Sequence, residues 1–297
     1  MHLTGDFERF QPKHATFVGV DSDGCVFDTM CVKQREHFHP LIIRFWGLEG
    51  CADAFRACAE FVNMYATTRG SNRFPALLRT FELLHEYPGV RASGVALPKL
   101  EALRAYVSSG LPLGNPSLAA EAARTGDPEL RRLLDWSLAV NADIDARMRP
   151  VPPFPSARRA LDLMRASSDV VVVSQTPEEA LLKEWDLHGI RDRVDAIAGQ
   201  ERGTKAEQLR HASAGKYAAN CVLMVGDALG DQAAARAVGA LFYPIIPGAE
   251  EASWRRFCDE AYARFLEGRF AGPYADTLAR AFVAALPDTP PWLSPGA

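Results

Sequence analysis

Apolar residues along the chain follow two different periods. Short continuous runs occur at 16–20, 169–173, 194–198, 221–225 and 241–246, the clearest being FVGV from 17, DVVVV from 169 and VLMV from 222. Runs of that length, bounded by polar turns, suit strands buried on both faces. Over 156–166, 177–187, 205–214 and 231–238 the apolar positions instead recur every three to four residues, as on one face of a helix. Strand alternating with helix implies right-handed crossovers, so the expected class is α/β with a doubly wound parallel sheet.

The stretch 31–150 breaks this rhythm. It has no strand pattern, and helical periodicity at 36–45, 52–65, 75–85, 98–107, 116–124 and 128–148 is punctuated by Pro or Gly. An all-helical domain is therefore expected to be inserted directly after the first strand and its loop. RPVPPFP at 149–155 is stiff enough to mark its end. The predicted organisation is a first core segment at 1–30, a helical cap at 31–150, and a second core segment with C-terminal helices at 151–297. Residues 1–15 read as a polar lead-in, and the end from 287 as a loose tail in which Trp292 can dock.

Composition narrows the function. The 297 residues are 48% hydrophobic and 24% charged, ordinary for a soluble globular enzyme, and a net charge of -4 lacks the basic excess of a nucleic-acid binder. Six cysteines without a C-x-x-C pair suggest reduced core residues and a cytoplasmic protein. No signal-peptide pattern or membrane-length apolar run is present, so no membrane association is expected. His37 and His39 have a metal-pair look, but at i and i+2 on a helix they face apart.

Candidate chemistry gathers at strand ends, where open α/β sheets keep their ligands. The first run ends in Asp21-Ser-Asp23-Gly24-Cys-Val-Phe-Asp28. Two acids at i and i+2 can share one pocket, where their repulsion favours a cation or a shared proton, and Gly24 lets the chain reverse. A surface Asx turn would also give a bare D-x-D. The second run leads into Ser174-Gln175-Thr176-Pro177, a hydroxyl ahead of a helix start suited to an anion; a plain N-cap is the alternative. Lys205 opens the next helix, where it opposes the dipole, and Asp227 and Asp231 follow the fourth run in the string GDALGD.

Taken in order, D-x-D-G-x-x-x-D, Ser, Lys and G-D-x-x-x-D resemble the four motifs of the haloacid-dehalogenase-like (HAD) hydrolases. The inserted helices resemble the C1 type of cap found in phosphoglycolate phosphatase-like members. The resemblance implies a HAD-like Rossmannoid core and a Mg²⁺-dependent phosphohydrolase acting on a small phosphorylated metabolite. It implies Asp21 as nucleophile, Asp23 as general acid and base, and Ser174 and Lys205 as holders of the phosphoryl group. Mg²⁺ would be held by Asp21, the Asp23 carbonyl and Asp227, with Asp231 behind them orienting Lys205 or a metal-bound water. The cation matters because two unit charges about 4 Å apart repel by about 4 kcal/mol at an effective dielectric near 20.

Asp23 favours phosphoryl transfer over carbon–halogen cleavage, in which the departing halide needs no proton. A phosphomutase or a phosphonatase-like enzyme shares the core machinery, although the cap lysines available for a Schiff base, Lys33 and Lys99, are poorly placed. A non-catalytic binding protein retaining the fold is the reading from another class. Substrate contacts are expected at Ser174, Gln175 and Lys205, and at Arg69 and Arg73 in the polar loop TTRGSNR of the cap, where arginines could grip a second anionic group. That loop could equally be a solvated connection. The pattern implies no particular oligomeric state.

Overall fold

Along the central strands, alternate side chains enter two separate cores. Val18, Val20, Val170, Val172, Leu223 and Val225 pack with helices on one face of the sheet, and Phe17, Val171, Val173, Val222 and Met224 with helices on the other. The period-two alternation of a strand therefore explains why the runs are apolar throughout. The computed structural model describes residues 7–293. Its strands are β1 (Phe17–Val20), β2 (Asp169–Val173), β3 (Ala196–Ala198), β4 (Val222–Gly226) and β5 (Leu241–Pro244). They form one parallel sheet in the order β3-β2-β1-β4-β5.

The helices are α1 (Thr29–Val32), α2 (His39–Trp46), α3 (Ala52–Met64), α4 (Arg73–Glu86), α5 (Glu101–Ser108), α6 (Asn115–Thr125), α7 (Pro128–Arg147), α8 (Pro155–Arg165), α9 (Glu178–Leu187), α10 (Lys205–Ser213), α11 (Leu229–Ala237), α12 (Glu250–Arg256), α13 (Tyr262–Leu266) and α14 (Pro273–Ala284). Helices α8 and α9 pack on one face of the sheet, α10 and α11 on the other, so the α/β core is doubly wound. The chain builds β1, β2 and β3 outward in one direction and then returns to lay β4 on the opposite side of β1. The reversal leaves a crevice at the carboxyl ends of β1 and β4, the place where such sheets bind ligands.

Two compact units divide the chain. One comprises Met1–Met30 and Pro150–Leu286, the other Cys31–Arg149 with the segment from Pro287. The second unit is helical, with its own core around Phe55, Phe81, Trp46 and Trp136. The helical run starting at Thr29 passes through a π-helical segment, Lys33–Phe38, before α2.

The lead-in differs from the sequence reading, and at the other end Trp292 docks as the sequence allows. The lead-in is partly apolar in use: Phe7 and Phe10 are buried, and the Asp169 carboxylate accepts hydrogen bonds from the Lys13 and His14 backbone N–H groups and the Tyr217 hydroxyl. The tail packs in the second unit, where Trp292 meets the rings of Phe61 and Tyr87 with centroids at 5.8 and 5.0 Å. Among the described residues, no helix is long and apolar enough to cross a membrane.

Candidate active site

Asp21 follows β1 directly, and its backbone N–H continues the sheet by donating to the Val225 carbonyl at 3.0 Å. Beyond it the chain turns tightly. The Ser22 carbonyl accepts from the N–H groups of Cys25, Val26 and Phe27, and Gly24 sits at φ 84°, a conformation that suits glycine. Two indoles hold this loop from the helices around it. Trp185 on α9 donates to Ser22 Oγ at 3.0 Å, and Trp254 on α12 donates to the Cys25 carbonyl at 2.8 Å. Both rings are fully buried. The loop carrying Asp21 and Asp23 is thus fixed by partners about 160 or more residues away in sequence.

Across the crevice, Asp227 follows β4, and Asp231 lies in the first turn of α11. Asp231 Oδ2 accepts from the backbone N–H groups of Asp227 and Ala228 at 3.1 and 3.0 Å, while Oδ1 receives the Lys205 ammonium at 2.5 Å. Gly226 makes this fold-back possible, since a Cβ there would stand 2.4 Å from Asp231 Cγ. Lys205 also reaches Asp21 Oδ2 at 2.8 Å. Asp21, Asp227 and Asp231 are buried, and one carboxylate oxygen from each lies within 4.8 Å of the others.

Among the described residues three buried carboxylates gather here, and the Lys205 ammonium pairs with two of them, Asp21 and Asp231. Burial pushes the Asp21 carboxyl well above its ordinary range, and Asp231 and Asp227 push it further against the pull of Lys205. Burial alone would depress the Lys205 ammonium, but Asp21 and Asp231 outweigh it and hold the group above the usual lysine value. An all-oxygen, anionic donor set fits a hard divalent cation such as Mg²⁺. Both oxygens of Asp231 are engaged by the protein, and those of Asp21 meet the Ser22 backbone N–H and the Lys205 ammonium at 2.8 Å each.

Asp23 stands apart from that cluster. Its carboxylate accepts the hydroxyl of Thr29, a fully buried residue that opens α1. Sequence reading missed Thr29, although its place directly after Asp28 was a signal. Ser174, at the end of β2 next to β1, is buried and accepts the Thr176 N–H on Oγ at 3.2 Å. Gln175 is exposed, and its amide donates to the Gly203 carbonyl at 2.9 Å. Asp28 is adjacent in sequence but outside the three-carboxylate group.

The two cap arginines belong to the other unit, and their guanidinium groups engage partners there. Arg69 is buried and donates to the Met64 carbonyl at 2.9 Å. Arg73 donates to the Ser137 carbonyl and hydroxyl and to Asn141 Oδ1, and covers the Phe38 ring at 5.1 Å.

Scanned against protein-family models and against curated proteins, the chain matches none. Solved structures do resemble it. One is a haloacid dehalogenase-like family hydrolase from Streptococcus pneumoniae, 17% identical, with a TM-score of 0.43 over 81% of this chain and 90% of that one. A second is a proposed phosphoglycolate phosphatase from Lactobacillus delbrueckii subsp. bulgaricus, 16% identical, with a TM-score of 0.46 over 93% of this chain and 99% of the other. A third is the L-2-haloacid dehalogenase of Xanthobacter autotrophicus, 17% identical, with a TM-score of 0.39 over 93% and 95%. In this fold the four sequence motifs lie after β1, after β2, at the start of α10 and after β4.

Proposed function

We propose that the chain is a Mg²⁺-dependent phosphohydrolase that cleaves a small phosphorylated metabolite through an aspartyl-phosphate. The observation that carries this reading is the convergence of Asp21 and Asp227, residues far apart in the sequence, within one carboxylate cluster beside Lys205. That convergence supports a reading in which Asp21 is the nucleophile and Asp21 and Asp227 hold the cation beside Lys205.

In this scheme an Asp21 oxygen attacks phosphorus as the bond to the ester oxygen breaks, and the departing oxygen takes a proton from Asp23. The same Asp23 then takes a proton from water, whose oxygen attacks the phosphoaspartate, releasing inorganic phosphate and restoring Asp21. Thr29 keeps the Asp23 carboxylate in place. Lys205 and Ser174 hold the phosphoryl oxygens and offset charge in the transition state. A divalent cation bound by Asp21 and Asp227 would offset the repulsion between the carboxylates and the phosphoryl group.

The test is phosphate release from an aryl phosphate with Mg²⁺, compared with the Asp21→Asn variant. Release by the wild type and its loss in the variant support the reading. No release from that compound or from a broad panel of phosphorylated metabolites rejects it.

A further inference from the structure

Gln208 lies on α10, one turn after Lys205, so the two side chains leave the helix on the same face. It is fully buried. Its amide nitrogen lies 3.0 Å from the Ser174 carbonyl, 2.9 Å from the Gly199 carbonyl and 3.0 Å from the Gly203 carbonyl. Those oxygens belong to the residue after β2, the residue after β3, and the turn just ahead of the Thr204 cap of α10. One NH₂ group therefore joins the three backbone segments that carry Ser174 and Lys205.

The other half of the amide shows what the residue is kept for. Gln208 Oε1 is buried with no hydrogen-bond partner among the described residues, a condition native proteins rarely tolerate. A donor-only use, accepted at the cost of an unsatisfied carbonyl, points to the three acceptors as the reason for a glutamine here. Gln175, which also donates to the Gly203 carbonyl, is exposed and reaches it from the edge.

We propose that Gln208 is a positioning residue that sets the separation of Ser174 from Lys205, and hence the width of the seat for a phosphoryl group. This rests on the phosphohydrolase reading. Misplacing a gripping group by a fraction of an ångström weakens its hold on the phosphoryl oxygens, and a shift of 1 Å can cost about 100-fold in rate.

The test uses the full chain with Gln208→Met, close in volume but without donors, and Gln208→Asn, a milder change that retains an amide. Two quantities are measured well below each variant's melting temperature: inhibition by inorganic phosphate during aryl phosphate hydrolysis, and Mg²⁺-dependent binding of beryllofluoride by calorimetry, which needs no turnover. The expected result is weakening of both ligands by about tenfold or more in Gln208→Met, with a smaller loss in Gln208→Asn and a fall in kcat. Lower melting temperatures with phosphate inhibition and beryllofluoride affinity within twofold of wild type would reduce Gln208 to a structural role and overturn the inference. If Gln208→Met does not fold, Gln208→Asn decides alone by the same two measurements. A wild type that neither hydrolyses the ester nor binds beryllofluoride overturns the phosphohydrolase reading first, a result visible before any variant is made.

Discussion

The Lys205 ammonium lies 2.5 Å from Asp231 Oδ1, and each residue sits in the first turn of its own helix. An aspartate there is favoured by the positive end of the helix dipole, whereas a lysine is opposed by it. The pair therefore places a lysine where its own helix disfavours it, and the compensation comes from Asp231 and from Asp21 at 2.8 Å.

Removing that ammonium should be costly. In Lys205→Met, the buried carboxylates of Asp21 and Asp231 lose their cation, and breaking a buried pair typically destabilises by about 3–5 kcal/mol. Thermal melts should show a clear drop for this variant, partly reversed by millimolar Mg²⁺ because a divalent cation can replace the missing charge. A melt equal to wild type without Mg²⁺ would contradict the charge balance described here.

Thr29 gives a narrower prediction. Thr29→Val removes the hydroxyl that holds the Asp23 carboxylate while keeping the side chain's shape. If Asp23 moves the proton, kcat should fall by about tenfold, a part of the 10²–10⁴ that positioned acid–base catalysis supplies, with KM changed less than twofold. Steady-state kinetics on an aryl phosphate check this. A rise in KM at constant kcat would assign Thr29 to binding instead.

The indole that donates to the loop after Asp21 can be tested by stability. Trp254→Phe keeps an aromatic ring but leaves the buried Cys25 carbonyl without its 2.8 Å donor. An unsatisfied buried acceptor costs about 1–3 kcal/mol. Urea unfolding should show a loss in that range, and no change in midpoint would mean that the loop finds another donor.

Much of the core could be read from the chain because its strands are short apolar runs and its site residues stand at their ends, where pattern and chemistry coincide. Asp21 and Asp227 stand directly after such runs, whereas the parts given to Lys205 and Asp231 come from the resemblance to the HAD motifs; the fold brings the four together. Gln208 was missed because a polar residue on an amphipathic helix looks solvated until the loops that surround it are known. Phe7 and Phe10 are hidden in a segment that is mostly polar. Arg69 and Arg73 show the converse ambiguity. A loop rich in arginine and hydroxyls has the same composition whether it meets a ligand or ties helices together, and here both guanidinium groups donate within the helical unit.

The tail packing carries its own prediction. Trp292 meets Phe61 and Tyr87, and the Thr67 hydroxyl donates to Asp288 nearby. Aromatic pairs contribute about 0.5–1.5 kcal/mol each beyond the area they bury. Trp292→Ala should therefore lower the stability of the helical unit by about 2 kcal/mol and speed proteolytic removal of the tail. Unchanged cleavage kinetics would show the contact to be without consequence.

Acid sensitivity should arise in the same unit, from His39. The ring is buried against Phe55 at 5.8 Å, and neither nitrogen has a hydrogen-bond partner among the described residues. Burial lowers its pKa from 6.5 to about 4, with Arg56 and Arg35 adding to the effect and Glu60 opposing it. The folded state thus prefers the neutral ring, while the unfolded chain takes up the proton near 6.5. The contribution is fully present above that value, declines as pH falls through the interval, and is lost below about 4. The gap corresponds to about 3 kcal/mol. His39→Leu has no such proton to take up, so its urea midpoint should fall less than that of wild type between pH 7 and pH 4.5. Carboxylate protonation is common to both proteins, and the difference between their two slopes isolates the histidine. Parallel slopes would show that the His39 ring finds water or a partner when it charges.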